Sequence, residues 1–96
     1  MAYIIIDRIT DQVLSWWTGP NTDKWDAGID NDTDEVVGGA YVFYSKKDAT
    51  TTVKILEDEF KNEPGGVNFE ILKVGTETVE KKTRTGYVSH NRVFLI

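Results

Sequence analysis

Residues 45–60 read SKKDATTTVKILEDEF, and this stretch predicts the one clear helix of the chain. Ser45 followed by Asp48 fits an N-terminal capping pattern, in which the cap side chain accepts a backbone N–H and the helix dipole favours the carboxylate. The next apolar side chains recur at spacings of four, three and four residues, so they share one face of a helix. Pro-Gly-Gly at 64–66 ends the pattern, and a helix over residues 46–62 is expected. Its apolar stripe consists of Ala49, Val53, Leu56 and Phe60.

Runs of β-branched and aromatic residues on both sides of this helix predict strands. Residues 3–8 and 12–17 flank a cluster of turn formers and predict an antiparallel hairpin. Residues 25–27 predict a short edge strand, residues 40–44 a central strand after a Gly-Gly bend, and residues 67–74 a strand half-covered by the helix. Together they predict an α+β fold: a mostly antiparallel sheet of about five or six strands with one amphipathic helix packed on one face.

The length of 96 residues predicts a single domain covering 1–96. Residues 76–85 alternate threonines with charges and offer only Val79 for burial, a pattern typical of an exposed strand arm or a loop. Residues 93–96 are wholly apolar and predict further strand. Residues 76–96 are therefore expected to form either an extended arm or an added hairpin.

The net charge of the chain lies in one segment. Residues 21–35 contain six acids and one base, a net charge of −5, which equals the net charge of the whole chain. A pI near 4.7 disfavours direct binding of nucleic acid, which depends on basic patches, and favours a partner protein with a basic surface. The six acids are Asp23, Asp26, Asp30, Asp32, Asp34 and Glu35.

Part of this segment begins like a calcium-binding loop. Asp30, Asp32 and Asp34 occupy its first three ligand positions. The sixth position then holds Glu35 where a glycine is needed, and the twelfth holds Tyr41 where a bidentate glutamate belongs. The segment is therefore expected to be a solvated acidic turn, and no metal site is predicted.

The remaining residues offer little for catalysis, cofactor binding or membrane insertion. His90 is the only histidine, and its neighbour Ser89 would point to the opposite face of a strand, so a Ser–His pair is not expected. The chain contains no cysteine and no stretch approaching the roughly 20 apolar residues that span a bilayer. We therefore expect a protein that is not an enzyme, uses no cofactor, contacts no membrane and acts in the cytoplasm.

All three tryptophans lie within residues 16–25. They are either partly buried structural residues or anchors for a partner, since Trp and Tyr often carry the binding energy of interfaces. In a regular strand Trp16 and Trp17 point to opposite faces, and Trp17 shares its face with the polar Ser15. We therefore expect Trp17 to be the more exposed of the two, and Trp25 to be at least partly exposed. Trp17, Trp25 and the six acids form the predicted binding surface.

Four patterns carry a resemblance to a known class of protein: YIIxD at 3–7, TDQVLSW at 10–16, a lone Trp25, and AYVFxSKKDA at 40–49. Over residues 3 to 75 the chain resembles small accessory proteins of tailed bacteriophages. It departs from them in the Asp- and Gly-rich insertion between Trp25 and residue 40, and in the tail after residue 75. The resemblance implies a phage-encoded, non-enzymatic protein that binds and inhibits or modulates a host protein, including anti-defence action of the anti-CRISPR kind.

A second function remains open from the residues alone. A small-molecule or nucleotide-signal binding protein would hold its ligand between an aromatic and a basic side chain, such as Arg84 or Arg92. Such a site could lie in a homodimer interface. The only basic cluster that could serve it is Lys81, Lys82 and Arg84.

Overall fold

A computed structural model describes the backbone of residues 1–96 and the side chains of all of them except residue 88. The fold is α+β, with one helix packed on an antiparallel sheet, as the sequence predicts. The six strands lie in the order β2-β1-β5-β6-β4-β3. The elements are β1 Ala2–Asp7, β2 Gln12–Val13, β3 Gly28–Asp30, β4 Glu35–Val37, α1 Lys46–Glu59, β5 Phe69–Thr83 and β6 Gly86–Leu95.

The two outermost strands of the sheet meet, so the sheet curls round on itself. Val13 at the end of β2 exchanges two backbone hydrogen bonds with Ala27, which precedes β3; the N–O distances are 2.8 and 3.4 Å. The inner surface of this curl holds one hydrophobic core, to which Ile4 and Ile6 of β1 and Val74 of β5 contribute fully buried side chains. Closure in this way leaves few unpaired edges in the body of the protein.

The helix covers the outer face of the same strands. Ser45 caps it as predicted, with its side chain accepting the backbone N–H of Asp48. Leu56 and Ala49 are fully buried in a second core with Ile5 of β1, because alternate residues of a strand face opposite sides of the sheet. Val53 and Phe60, the other two members of the predicted stripe, pack against this core while remaining partly exposed. The helix ends at Glu59, three residues earlier than expected.

The predicted central strand at residues 40–44 is wrong. Its backbone makes two hydrogen bonds with Tyr3, both through Phe43, and one hydrogen bond in which the Tyr41 N–H donates to the Leu14 carbonyl oxygen. Gly38 and Gly39, which precede it, have φ values of +90° and +79°, and these values turn the chain away from the sheet after β4. The two central positions of the sheet are held by β5 and β6 instead.

Residues 76–92 form an exposed two-stranded ribbon, so the arm is a strand hairpin rather than a loop. The pairing of β5 with β6 runs without a bulge from Val74–Leu95 to Thr83–Gly86, far beyond the last residue of β5 that β1 reaches. The ribbon contributes to principal extents of 51 × 25 × 24 Å. Gly75 lies where the ribbon leaves the body, and the Phe94 ring covers it so closely that an added Cβ would lie 2.6 Å from the ring.

Within the described part of the chain, no helix is long and apolar enough to cross a membrane.

Candidate functional site

Three of the predicted acids, Asp30, Asp32 and Asp34, lie at the end of β3 and in the tight turn that leads to β4. The Asp30 carbonyl oxygen accepts the Asp34 N–H at 2.8 Å, and its carboxylate accepts the Asp32 N–H at 3.0 Å. Asp34 has φ +57°, a left-handed conformation that Asp tolerates better than most residues. These aspartates therefore also stabilise the turn: Asp30 accepts a backbone N–H, and Asp34 adopts the left-handed conformation. All three residues are exposed.

The free carboxylates of this surface are Asp26, Asp30, Asp32 and Asp34. All four residues are exposed, and none of them forms an ion pair with a described side chain. We call these four residues the acidic face. A fixed set of exposed, unneutralised carboxylates attracts cations and basic surfaces over roughly a Debye length, about 8 Å at physiological ionic strength.

Glu35, the sixth predicted binding acid, faces a different environment. Its carboxylate lies 3.4 Å from Arg92 Nε, and the same guanidinium lies 3.9 Å from Glu77. The Arg92 guanidinium also stands 5.8 Å from the centre of the Phe94 ring. Glu35 therefore belongs to a network that fastens the base of the ribbon to β4, and it is less available to a partner than the acidic face.

Asp23 is half-buried and holds a neighbouring ring in place. Its carboxylate accepts the indole N–H of Trp25 at 2.7 Å. Beside it, Glu59 at the end of the helix accepts the backbone N–H of Asn21 through Oε1. Burial of the Glu59 carboxyl raises its pKa, the Asn21 hydrogen bond opposes that shift, and the nearby Asp23 adds to it. Asp23 and Glu59 thus fasten the loop at residues 18–25 to the helix.

The expectation that Trp17 is more exposed than Trp16 is wrong. Trp16 is 50% exposed, whereas Trp17 is partly buried and packs against the helix-side core. The backbone N–H groups of Ser15 and Trp16 both point to the Lys24 carbonyl oxygen, at 2.8 and 3.4 Å. Two residues opposite one partner constitute a β-bulge, which shifts the alternation of faces by one residue. Counting alternate residues from the buried Leu14 would place Trp16 on the buried face, but the bulge moves Trp16 to the exposed face.

Trp25 is partly exposed, in agreement with the expectation, but its ring is also a structural element. It stacks on Phe69 at 5.3 Å between ring centres, and Phe69 in turn meets Phe60 of the helix edge-on at 6.1 Å. Apart from Glu35, which pairs with Arg92, the structure therefore separates the predicted binding residues into two groups. Trp17, Trp25 and Asp23 pack around the helix, while the acidic face is free. Sequence reasoning missed Trp16, and no sequence signal marks the bulge that exposes it.

Two concave regions border these groups. A groove of about 560 Å³ runs along the base of the ribbon, between Thr78 and Asn91 on one side and Gly39 and Tyr44 on the other. Among the described residues that line it, Glu35 and Glu77 are the charged ones. A phosphorylated ligand would need basic groups there, and Arg92 is engaged by these two carboxylates, so the groove does not favour the nucleotide-binding alternative.

A smaller cleft of about 160 Å³ lies beside Trp25, with Phe60, Phe69 and Ile9 among its apolar walls. Asp7 lines its floor, and its carboxylate accepts the backbone N–H groups of Ile9 and Asn68 at 3.0 and 3.1 Å. These two hydrogen bonds satisfy the buried Asp7 carboxylate and give it a structural role. The cleft is about the size of a benzene-binding cavity.

Among the described side chains, no group of three or more His, Asp or Glu residues is placed to hold a metal ion. In the turn, Asp30 directs an oxygen to the backbone at Asp32 instead of to a common centre.

Comparison of the chain with protein-family models, with curated proteins and with solved structures returned no match.

Proposed function

We propose that this protein is a non-enzymatic binding protein that docks its acidic face on a basic surface of a partner protein. The observation that carries the proposal is the placement of Asp26, Asp30, Asp32 and Asp34. All are exposed, and none has a cationic partner among the described side chains. Such a surface steers a basic partner during the encounter and penalises partners of like charge.

Trp16 is the proposed apolar anchor of the same contact surface. It lies half exposed on the hairpin that joins β2 to β3, and Asp26 on the opposite strand of that hairpin donates its N–H to Ser15 Oγ at 3.2 Å. A large, half-exposed ring on this hairpin provides contact area, whereas the charges alone provide only attraction. Trp16 therefore replaces Trp17 as the proposed anchor, and Trp25 takes a supporting role.

The resemblance to accessory proteins of tailed bacteriophages extends the proposal to the class of partner. On that basis the chain is phage-encoded, acts in the host cytoplasm, and inhibits or modulates a host protein, including a protein of a defence system. A basic groove that normally holds nucleic acid is a fitting target, because carboxylates on a fixed turn can occupy phosphate positions.

The test is capture from a bacterial host lysate, treated with nuclease, by the intact chain and by two charge variants. The first variant carries Asp30→Asn, Asp32→Asn and Asp34→Asn. Asparagine keeps the turn hydrogen bond of residue 30 and tolerates the left-handed backbone of residue 34. The control variant neutralises three exposed acids elsewhere, with Glu57→Gln, Asp58→Asn and Glu63→Gln, for the same change in net charge.

We expect the turn variant to lose a partner that the control variant keeps, and binding of the native chain to weaken as salt is raised. Equal capture by the two variants would mean that net charge, rather than the acidic face, selects the partner. A further variant, Trp16→Ala, is expected to weaken binding by about 2 kcal/mol, the level typical of an interface hot spot, without lowering the unfolding midpoint.

A further inference from the structure

The outer edge of β5 is unpaired along the whole ribbon. β1 covers β5 from Phe69 to Val74 and stops there, because Ala2 opposite Val74 is the first residue of β1. Beyond that point β5 continues to Thr83 with β6 on one side only. Among the described residues, none pairs with the other side of this segment.

The backbone groups on that free edge can be assigned from the pairing. The Ile96 N–H donates to the Lys73 carbonyl oxygen, so odd-numbered residues of β5 direct their backbone groups toward β6. The Arg8 N–H donates to the Asn68 carbonyl oxygen, so even-numbered residues direct theirs toward the β1 side. Four residues therefore expose an N–H and a carbonyl each on the free edge: Thr76, Thr78, Glu80 and Lys82.

A ribbon of two strands is marginal by itself, since three or more strands or a packed face are usually needed for independent stability. This ribbon has no helix against it, and nearly all of its described side chains are exposed. Such an edge is a template for another strand.

We propose that a second copy of the chain pairs with this edge, β5 against β5 in antiparallel orientation about Val79, to form a two-fold symmetric dimer. The residue numbers of each facing pair then sum to 158. Thr78 of one copy faces Glu80 of the other, and Thr76 faces Lys82. These are the residues with outward backbone groups, so their hydrogen bonds join the two ribbons into one four-stranded sheet. The dimer interface is separate from the acidic face and does not depend on the function proposed for it.

Charge complementarity selects this register. With Val79 on the two-fold axis, Glu77 of each copy lies opposite Lys81 of the other, and the two valines meet at the centre. Opposite charges directly across an antiparallel pair stabilise it, and like charges destabilise it. A dimer centred on Thr78 would place Glu77 against a valine, and one centred on Glu80 would place two glutamates face to face.

The first experiment is sedimentation of the full chain and of two proline variants, from micromolar to millimolar concentration. Thr78→Pro removes an N–H from the free edge of β5, where proline leaves the bonds to β6 intact. Ser89→Pro is the matched control, because odd residues of β6 point away from β5, as the bond from the Leu95 N–H to the Asp34 carbonyl shows. We expect a dimer for the native chain and for Ser89→Pro, and a monomer for Thr78→Pro. Dimerisation raises the thermal midpoint by mass action, so the midpoint of Thr78→Pro should equal that of the native chain only at dilutions where the native chain is monomeric.

The second experiment tests the register with charge reversals. Glu77→Lys and Lys81→Glu each create two like-charge contacts in the homodimer, and each is expected to raise the dimer dissociation constant by about tenfold or more. In an equimolar mixture of the two variants, every contact is again between opposite charges, so the heterodimer should form with near-native affinity. Rescue by mixing also answers the concern that Glu77→Lys disturbs Arg92 within its own chain.

Three outcomes would overturn the proposal. A native chain that stays monomeric up to millimolar concentration excludes the dimer. A dimer that survives Thr78→Pro but not Ser89→Pro assigns the interface to β6. A monomeric chain that binds duplex DNA through Lys81 and Lys82 gives the ribbon a polyanionic partner instead of a second copy.

Discussion

Replacing Leu56 by alanine tests the packing of the helix on the sheet. Leu56 is 0% exposed and lies in the core that Ile5, Leu14 and Phe43 share with the helix. Buried leucines lose about 2–5 kcal/mol on truncation to alanine, and the loss is greatest where the cavity cannot collapse. Here Val53 beside it is only partly buried and can move inward, so we expect a loss of about 3 kcal/mol.

For a domain of this size each kcal/mol lowers the thermal midpoint by about 4–8 °C, so the variant should melt about 12–24 °C below the native protein. Urea unfolding followed by circular dichroism measures the free energy directly. Ile55→Ala is the matched control, since Ile55 is on the same helix, partly exposed and outside both cores. If Leu56→Ala cost less than about 1 kcal/mol, or no more than Ile55→Ala, the packing of the helix described above would be wrong.

Four further predictions concern the loop, the turns and the acidic segment. Burial raises the pKa of the Glu59 carboxyl above its ordinary value of 4.5, so the folded chain binds this proton more tightly than the unfolded chain. The stability that this group contributes is therefore lost as the pH rises through the raised pKa. Glu59→Gln should flatten this pH dependence in thermal melts between about pH 4 and 7. Asp7→Ala should cost about 1–3 kcal/mol in urea unfolding, because two partly buried backbone N–H groups lose their acceptor, whereas Asp7→Asn, which keeps an acceptor, should cost less. Gly38→Ala should lower the thermal midpoint more than Gly39→Ala, since both have positive φ but only at Gly38 would a Cβ meet a backbone oxygen, at 2.8 Å. Calcium should leave the thermal midpoint unchanged in the native chain and in the asparagine variant at residues 30, 32 and 34; a calcium-dependent rise confined to the native chain would show that the turn is a metal site.

The parts of this protein that the sequence predicts are those governed by neighbours in the chain. Ser45 and the apolar stripe through Leu56 suffice for the helix and for its buried face, because capping and helical periodicity act over a few residues. The run at residues 3–8 likewise predicts β1, since it is rich in β-branched residues. The acidic turn is also local: Asp30 and Asp34 are there for its backbone geometry as well as for its charge.

The tertiary structure alone decides which side chains of the candidate surface are free. Trp16 is exposed because a bulge opposite Lys24 interrupts the alternation of faces, and Glu35 is withdrawn from the acidic face because Arg92, far along the chain, lies beside it. The unpaired edge of the ribbon has the same origin, since β1 is too short to follow β5 past Val74. The Glu35–Arg92 pair and the end of β1 depend on contacts between residues distant in sequence, and the bulge depends on how the two strands of its hairpin pair. Register and pairing of this kind follow from packing rather than from local preference.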